Sequence, residues 1–131
     1  MVTLANGDLF FIGGTTNGQS FYKESFRYIK HDNRWEKKSD MSIGRVLAGR
    51  SCARVINPKT GKEEVVVAGG YGDGGALSST EIYTVENDTW RQGQPLPKAI
   101  HSHAFLPYED TVLSLGGSDG YSCFDSIYQV G

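Results

Sequence analysis

The sequence has little of what marks the commonest special classes of small protein. Its 131 residues include two cysteines, Cys52 and Cys123, and no Cys-x-x-Cys pair, which excludes a disulfide-dense scaffold and the usual zinc and thiol redox motifs. No apolar run approaches the ~18 residues of a membrane-spanning helix, and the first residues lack the basic and apolar regions of a secretory signal. We therefore expect free thiols in a reducing compartment and a cytoplasmic location.

The chain also has no large excess of charge of one sign. Thirteen basic residues face fifteen acidic ones, for a formal net charge of −2. A protein that binds nucleic acid or an anionic membrane through its surface charge carries a clear basic excess. The composition therefore predicts neither partner.

Glycine, in contrast, is abundant, with 17 residues. Three apolar runs, 9–14, 65–70 and 112–117, each end in a diglycine. Glycine permits backbone angles and close approaches that a side chain would forbid, so its recurrence indicates a repeated structural need. The six residues are Gly13, Gly14, Gly69, Gly70, Gly116 and Gly117.

The aromatic residues repeat in step with the diglycines. Trp35 and Trp90 follow their own Gly-Gly at nearly the same distance, and Tyr28 and Tyr83 each stand seven residues before them. Tyr128 follows the third diglycine at a comparable distance. We interpret the chain as two full units and a truncated third.

Each unit is predicted to form four short strands. Apolar and β-branched runs alternate with turn clusters, and no segment keeps a helical apolar period. Asn6-Gly7 between Val2–Leu4 and Leu9–Ile12 predicts a tight type I′ hairpin. The pattern is that of an all-β chain.

The repeated unit resembles the Kelch repeat. The second copy fits best, with Gly69–Gly74, Ser79–Tyr83, Asn87–Trp90 and Pro95–Pro97. The resemblance implies Kelch-type β-propeller blades, each a four-stranded antiparallel sheet, arranged in an incomplete ring that further blades or a homo-oligomer would complete. It places the blades at about 1–41, 42–97 and 98–131, as a fragment of a longer protein.

Two consequences of the resemblance concern packing. Blades stack face to face, and the diglycine would leave room for a bulky aromatic side chain. The unit departs from the pattern where Phe26 and Ser126 stand in place of Glu81. The core is predicted at Phe10, Ile12, Val66, Ala68, Leu113, Leu115, Trp35 and Trp90.

By the same resemblance, the loops at one end of the blades bind a partner protein. Arg45 and Arg50 could donate two hydrogen bonds to a partner's carboxylate, or they could instead be solvated or bridge two blades. The expected function is a protein-interaction module of an adaptor or scaffold, with no catalytic residue, cofactor or metal. The candidate partner-binding residues are Asn17, Gln19, Arg45, Arg50, Tyr71, Asp73, His101, Asp119 and Tyr121.

An enzymatic alternative by resemblance is a sugar-active Kelch propeller enzyme or a copper-radical oxidase, which needs a tyrosine, a cysteine-modified tyrosine and two histidines. His101 and His103 are expected to alternate on one strand and so to point to one face, where they could hold a metal. No further ligand stands at suitable spacing, so we predict ordinary histidines.

Asn87-Asp88-Thr89 matches the N-glycosylation pattern, which would matter only in a secreted parent protein. The same residues are suited to the tight turn before Trp90. We favour the turn.

Overall fold

The computed structural model describes residues 1–47, 51–109 and 111–130, and within these ranges the secondary structure consists of β-strands and turns. No described segment forms a helix of the length and hydrophobicity needed to cross a bilayer. The all-β prediction is confirmed. The strands are β1 (Val2–Thr3), β2 (Leu9–Ile12), β3 (Ser25–Ile29), β4 (Arg34–Lys38), β5 (Cys52–Ile56), β6 (Glu63–Ala68), β7 (Tyr71–Gly72), β8 (Gly75–Ala76), β9 (Thr80–Thr84), β10 (Thr89–Gln92), β11 (Ala104–Tyr108), β12 (Thr111–Leu115) and β13 (Ile127–Val130).

The strands form antiparallel meanders in chain order. The first sheet is β1-β2-β3-β4, the second is β5-β6-β9-β10, and the third is β11-β12-β13 within the described residues. β7 and β8 make a small hairpin inside the loop between β6 and β9. The first two sheets are the four-stranded blades that the repeat predicts, and the third has three strands; the described sheets do not close into a ring.

The first hairpin forms where it was predicted, but its turn differs. Val2 pairs with Phe10, and the loop runs from Leu4 to Asp8. Gly7 has φ +91°, whereas Asn6 is not among the residues with positive φ, so the turn is not type I′. Asn6 instead accepts a hydrogen bond from the Asp8 amide at 3.0 Å, as asparagine commonly does in loops.

The sheets stack face to face and bury two apolar layers. β6 is buried throughout its apolar length because Val65 and Val67 face the first sheet while Val66 and Ala68 face the third. Successive strand residues point to opposite faces, so a strand covered on both sides is continuously apolar. The middle sheet is therefore the centre of the molecule.

The diglycines serve this stacking. Gly69 has φ +70°, and a Cβ there would lie 2.5 Å from the Ile100 carbonyl oxygen. At Gly13 the corresponding atom is the Arg45 carbonyl oxygen, at 2.3 Å. The space is thus taken first by the backbone that connects one sheet to the next, and at Gly69 the His103 ring lies close as well, at 2.9 Å.

Part of the predicted core lies at the surface. Phe10, Ile12, Val66 and Ala68 are buried, whereas Leu113 and Leu115 are half-buried and Trp35 is 55% exposed. Trp35 packs against rings of its own sheet, Phe11 at 6.1 Å and Tyr28 at 5.2 Å between centroids. Its equivalent, Trp90, is covered by Phe10 of the first sheet. Burial at this position depends on a neighbouring sheet.

Candidate functional site

One end of the sheets gathers the loops that were expected to bind a partner. The β2–β3, β6–β9 and β12–β13 loops lie here with the segments that connect successive sheets, and we call this end the loop face. Backbone bridges fasten the connections to the neighbouring loops: Val46 pairs with Tyr71, Leu77 with Ile100, and His101 with Ser118. The loop face is therefore held by backbone hydrogen bonds across sheet boundaries.

Three aromatic side chains form a row across the loop face. The Tyr71 ring lies 5.7 Å from Phe21 and 5.5 Å from His101, both edge to face. Phe21 precedes β3, Tyr71 follows β6, and His101 leads into β11, so the row spans all three sheets. Tyr71 is 42% exposed. Phe21 is not among the partner-binding residues predicted from the sequence, and only its aromatic character could have drawn attention to it.

The loop tips are held by short polar turns. The Asn17 Oδ1 accepts hydrogen bonds from the amides of Gln19 and Ser20, at 2.9 and 2.8 Å. The Asp119 Oδ1 likewise accepts from the amides of Tyr121 and Ser122, both at 2.8 Å. Such Asx turns fix the loop backbone while its side chains remain outside.

Most of the candidate partner-binding residues are accessible, Asp119 among them. The amides of Ser122 and Tyr121 stabilise the ionised carboxylate and so lower the pKa of Asp119. Tyr121 is 97% exposed, and Asp73, Asn17 and Gln19 are exposed as well. These candidates lie at the loop face together with Tyr71 and His101.

Arg45 does not belong to this accessible set. It is fully buried, and its guanidinium donates to the Glu81 carboxylate at 2.8 Å and to the carbonyl oxygens of Gly69 and Ser79. Burial lowers the pKa of Arg45 and Glu81 opposes the shift, but a guanidinium remains protonated. Arg45 bridges two sheets, so the prediction that it contacts a partner is wrong; Arg50 lies outside the described residues.

The two histidines are separated. Ser102 has φ +56°, which breaks the strand alternation on which the shared-face prediction relied. His101 is half-buried beside Tyr71 and its Nδ1 lies 2.9 Å from the Ser102 hydroxyl, whereas His103 is buried against Phe105. Burial lowers the pKa of His103. The described residues contain no cluster of three His, Cys, Asp or Glu side chains suited to a metal, and Cys52 and Cys123 are free thiols.

The repeated tyrosines and tryptophans occupy matching ladder positions in the first two sheets, but the tyrosine of the third sheet does not. Tyr83 pairs with Trp90, and Tyr28 with Trp35, in the same ladder position of their sheets. Tyr128 pairs with Ser114, which places it where the second sheet has Glu81, and Val130 takes the tyrosine position. Tyr128 is thus two residues out of the register that its spacing indicated.

Asp88 supports the turn interpretation of Asn87–Thr89. It has φ +52° and accepts hydrogen bonds from the Tyr83 hydroxyl at 2.6 Å and the Ser39 amide at 3.0 Å. The Trp90 Nε1 also donates to the Ser39 carbonyl oxygen, at 2.9 Å. The turn joins the second sheet to the end of the first.

Comparisons with known proteins find similarity to Kelch proteins. The family model described as Kelch motif matches residues 60–97. The chain is 29% identical over 134 aligned residues to Kelch-like protein 36 of Bos taurus, which covers 99% of this chain and 19% of that protein. It is 28% identical to Kelch repeat and BTB domain-containing protein 8 of Danio rerio over 92% of this chain and 20% of that protein. The chain thus spans about a fifth of the length of these relatives.

Proposed function

We propose that this chain, which is made of Kelch repeats, is a protein-interaction module that binds a partner protein through the loop face and performs no catalysis itself. The observation that carries the proposal is the aromatic row of Phe21, Tyr71 and His101, which crosses all three sheets at the loop face. Aromatic side chains are enriched at protein interfaces because they bury a large area at a small cost in conformational entropy.

The rigidity of the surroundings supports a binding role. The loops are anchored by interblade backbone pairs and by the Asx turns at Asn17 and Asp119. A surface that is ordered before binding loses less conformational entropy in the complex. Tyr121 projects from one of these fixed loops and is almost fully exposed. It is the side chain best placed to enter a pocket on a partner.

The similar proteins are about five times longer than the aligned segment, so we propose that the module works as part of an adaptor or scaffold. We propose as well that further Kelch sheets, from the parent protein or from a second copy, cover the first sheet. Phe11, Phe26 and Trp35 form an exposed apolar patch on the first sheet, on the face equivalent to the one that the second sheet packs against the first. A blue shift of Trp35 emission in a chain with an added preceding repeat would support this proposal, and an unchanged spectrum would contradict it.

Site-specific photo-crosslinking in cells tests the proposed function. A crosslinking amino acid at position 121 reports on the loop face, and one at position 86 reports on the opposite end, where Glu86 is exposed. We expect protein adducts from position 121 that decrease with Tyr71→Ala and are absent from position 86. Adducts that form equally from both positions, or that are insensitive to Tyr71→Ala, would contradict the proposal.

A further inference from the structure

We propose that the partner segment bound by the loop face is basic, with lysine or arginine side chains that lie over the aromatic row and pair with Asp73 and Asp119. This inference rests on the proposed function and names the partner chemistry of the same surface. It is carried by two observations: the charges that the loop face leaves available, and the accessible ring of Tyr71.

The loop face has an excess of carboxylates. Asp40 is balanced by Lys37 at 2.9 Å. Four other carboxylates of the loop segments take part in no ion pair between described residues: Glu24, Asp73, Asp119 and Asp125. Asp73 is two residues from Tyr71, and Asp119 follows Ser118, which pairs with His101. Among the described residues Asp73 takes part in no hydrogen bond or ion pair, so its charge is available to a partner.

The cations of the same segments compensate only part of this charge. Arg45 is buried in its ion pair with Glu81, and the Lys98 ammonium lies 4.5 Å from the centre of the Phe124 ring and contributes to the lowered pKa of Asp119. Lys23 is exposed and takes part in no ion pair among the described residues. A partner carboxylate would therefore meet more negative than positive charge on these segments. Like charges at an interface disfavour association, and opposite charges favour it and speed the encounter.

The aromatic row suits the stem and the head of a basic side chain. Tyr71 touches Phe21 and His101 edge to face and still exposes 42% of its surface. A lysine or arginine within about 6 Å of a tyrosine ring is attracted by the negative face of the ring, while its methylenes cover apolar surface. Arginine can stack on the ring and pair with a carboxylate at the same time.

The test is a peptide-display selection against this chain, with the Tyr71→Ala variant as the counter-selection target. Peptides that prefer the unaltered chain are then synthesised and their affinity is measured at low and high salt. We expect enrichment of lysine and arginine, affinity that falls as salt rises, and a loss of about two- to fivefold with Asp73→Asn, which is the range for an exposed ion pair. Glu86→Gln, which removes the same charge at the opposite end, should leave the affinity unchanged.

The other outcomes separate the inference from the proposed function. Enrichment of acidic peptides whose binding needs Arg50 would overturn the inference and leave the loop face as the binding surface. Equal losses with Asp73→Asn and Glu86→Gln would also overturn it, because binding would then follow net charge alone. If no peptide prefers the unaltered chain to Tyr71→Ala, both the inference and the proposed function fail.

Discussion

The two interfaces between sheets are built from the same repeat and differ in how they are held. The first, between sheets one and two, stacks Phe10 on Tyr83 with ring centroids 4.5 Å apart. It also contains the buried Arg45–Glu81 ion pair, and Glu81 accepts hydrogen bonds from the amides of Ser42 and Ile43. Packing and polar contacts therefore fix this interface together.

The second interface, between sheets two and three, depends on smaller apolar side chains. Val66, Ala68 and Ile82 pack against Phe105, Val112 and Val130, and a groove of about 380 Å³ opens beside them. No ion pair between described residues crosses it. The hydroxyls of Thr80 and Ser114 are buried there without hydrogen bonds, and so is the Arg45 Nε at the first interface. Because unpaired buried polar groups are costly and no ion pair between described residues supports the second interface, we expect it to open before the first.

The largest expected effect comes from breaking the ion pair of the first interface. Glu81→Ala leaves the Arg45 guanidinium buried without its carboxylate and removes the acceptor for two amides. The free energy of unfolding should fall by about 3–5 kcal/mol, as measured for other buried pairs that lose one partner. Urea denaturation measures the change.

Two control variants distinguish the loss of the ion pair from the effect of any substitution at this ladder position. Arg45→Met combined with Glu81→Leu removes both charges, and it should cost much less than Glu81→Ala alone. Tyr128→Leu, at the equivalent ladder position of the third sheet, should cost less than about 1 kcal/mol because the residue is only half-buried. A Glu81→Ala variant as stable as the original chain would contradict the difference between the interfaces.

The fold could be predicted from the sequence, whereas the contents of the interfaces could not. Diglycines and the tyrosine and tryptophan spacing indicate blades because they are fixed within one unit. The ion pair joins Arg45 to Glu81 across two units, and only stacking brings them together. Likewise, nothing in the sequence near Trp35 distinguishes it from Trp90, since burial is determined by the sheet in front of each.

Tyr128 shows a different limit. A shift of two residues along a strand keeps every side chain on the same face, so the apolar pattern cannot reveal it. The ladder settles the register, because Ser114 pairs with Tyr128 and Val112 with Val130. The prediction that His101 and His103 share a face was wrong because the positive φ at Ser102 ends the strand alternation, and the residue types do not reveal that angle.

A smaller effect on the free energy of unfolding is expected from the two tryptophans, of which Trp90 is covered by a neighbouring sheet and Trp35 is not. Trp90→Phe removes the hydrogen bond to the Ser39 carbonyl oxygen and part of the contact with Phe10, so it should cost about 1–2 kcal/mol. Trp35→Phe, at the equivalent but exposed position, should stay within about 0.5 kcal/mol. Thermal unfolding of both variants gives the comparison. Equal losses would mean that the first sheet does not stabilise the second through Trp90.

The smallest expected effect is a pH dependence at the second interface, due to His103. Burial lowers the pKa of His103 below its ordinary 6.5, with a further lowering from His101 and a partial opposing effect of the Ala68 backbone. The unfolded chain therefore binds a proton at a higher pH than the folded chain does. The free energy of unfolding should have its full value above pH 6.5 and should decrease as the pH falls from 6.5 towards the lowered pKa of His103.

The control variants make this dependence specific. His103→Gln keeps a polar side chain that does not titrate, so it should flatten the stability profile between pH 7 and pH 5, whereas His31→Gln, at an exposed position, should leave the profile unchanged. Hydrogen exchange should show the acid-induced opening first at the amides of β11 and β12, which belong to the second interface. If opening instead began in β1 and β2, the first interface would be the weaker one. That result would mean that the buried ion pair does not offset the cost of its own desolvation.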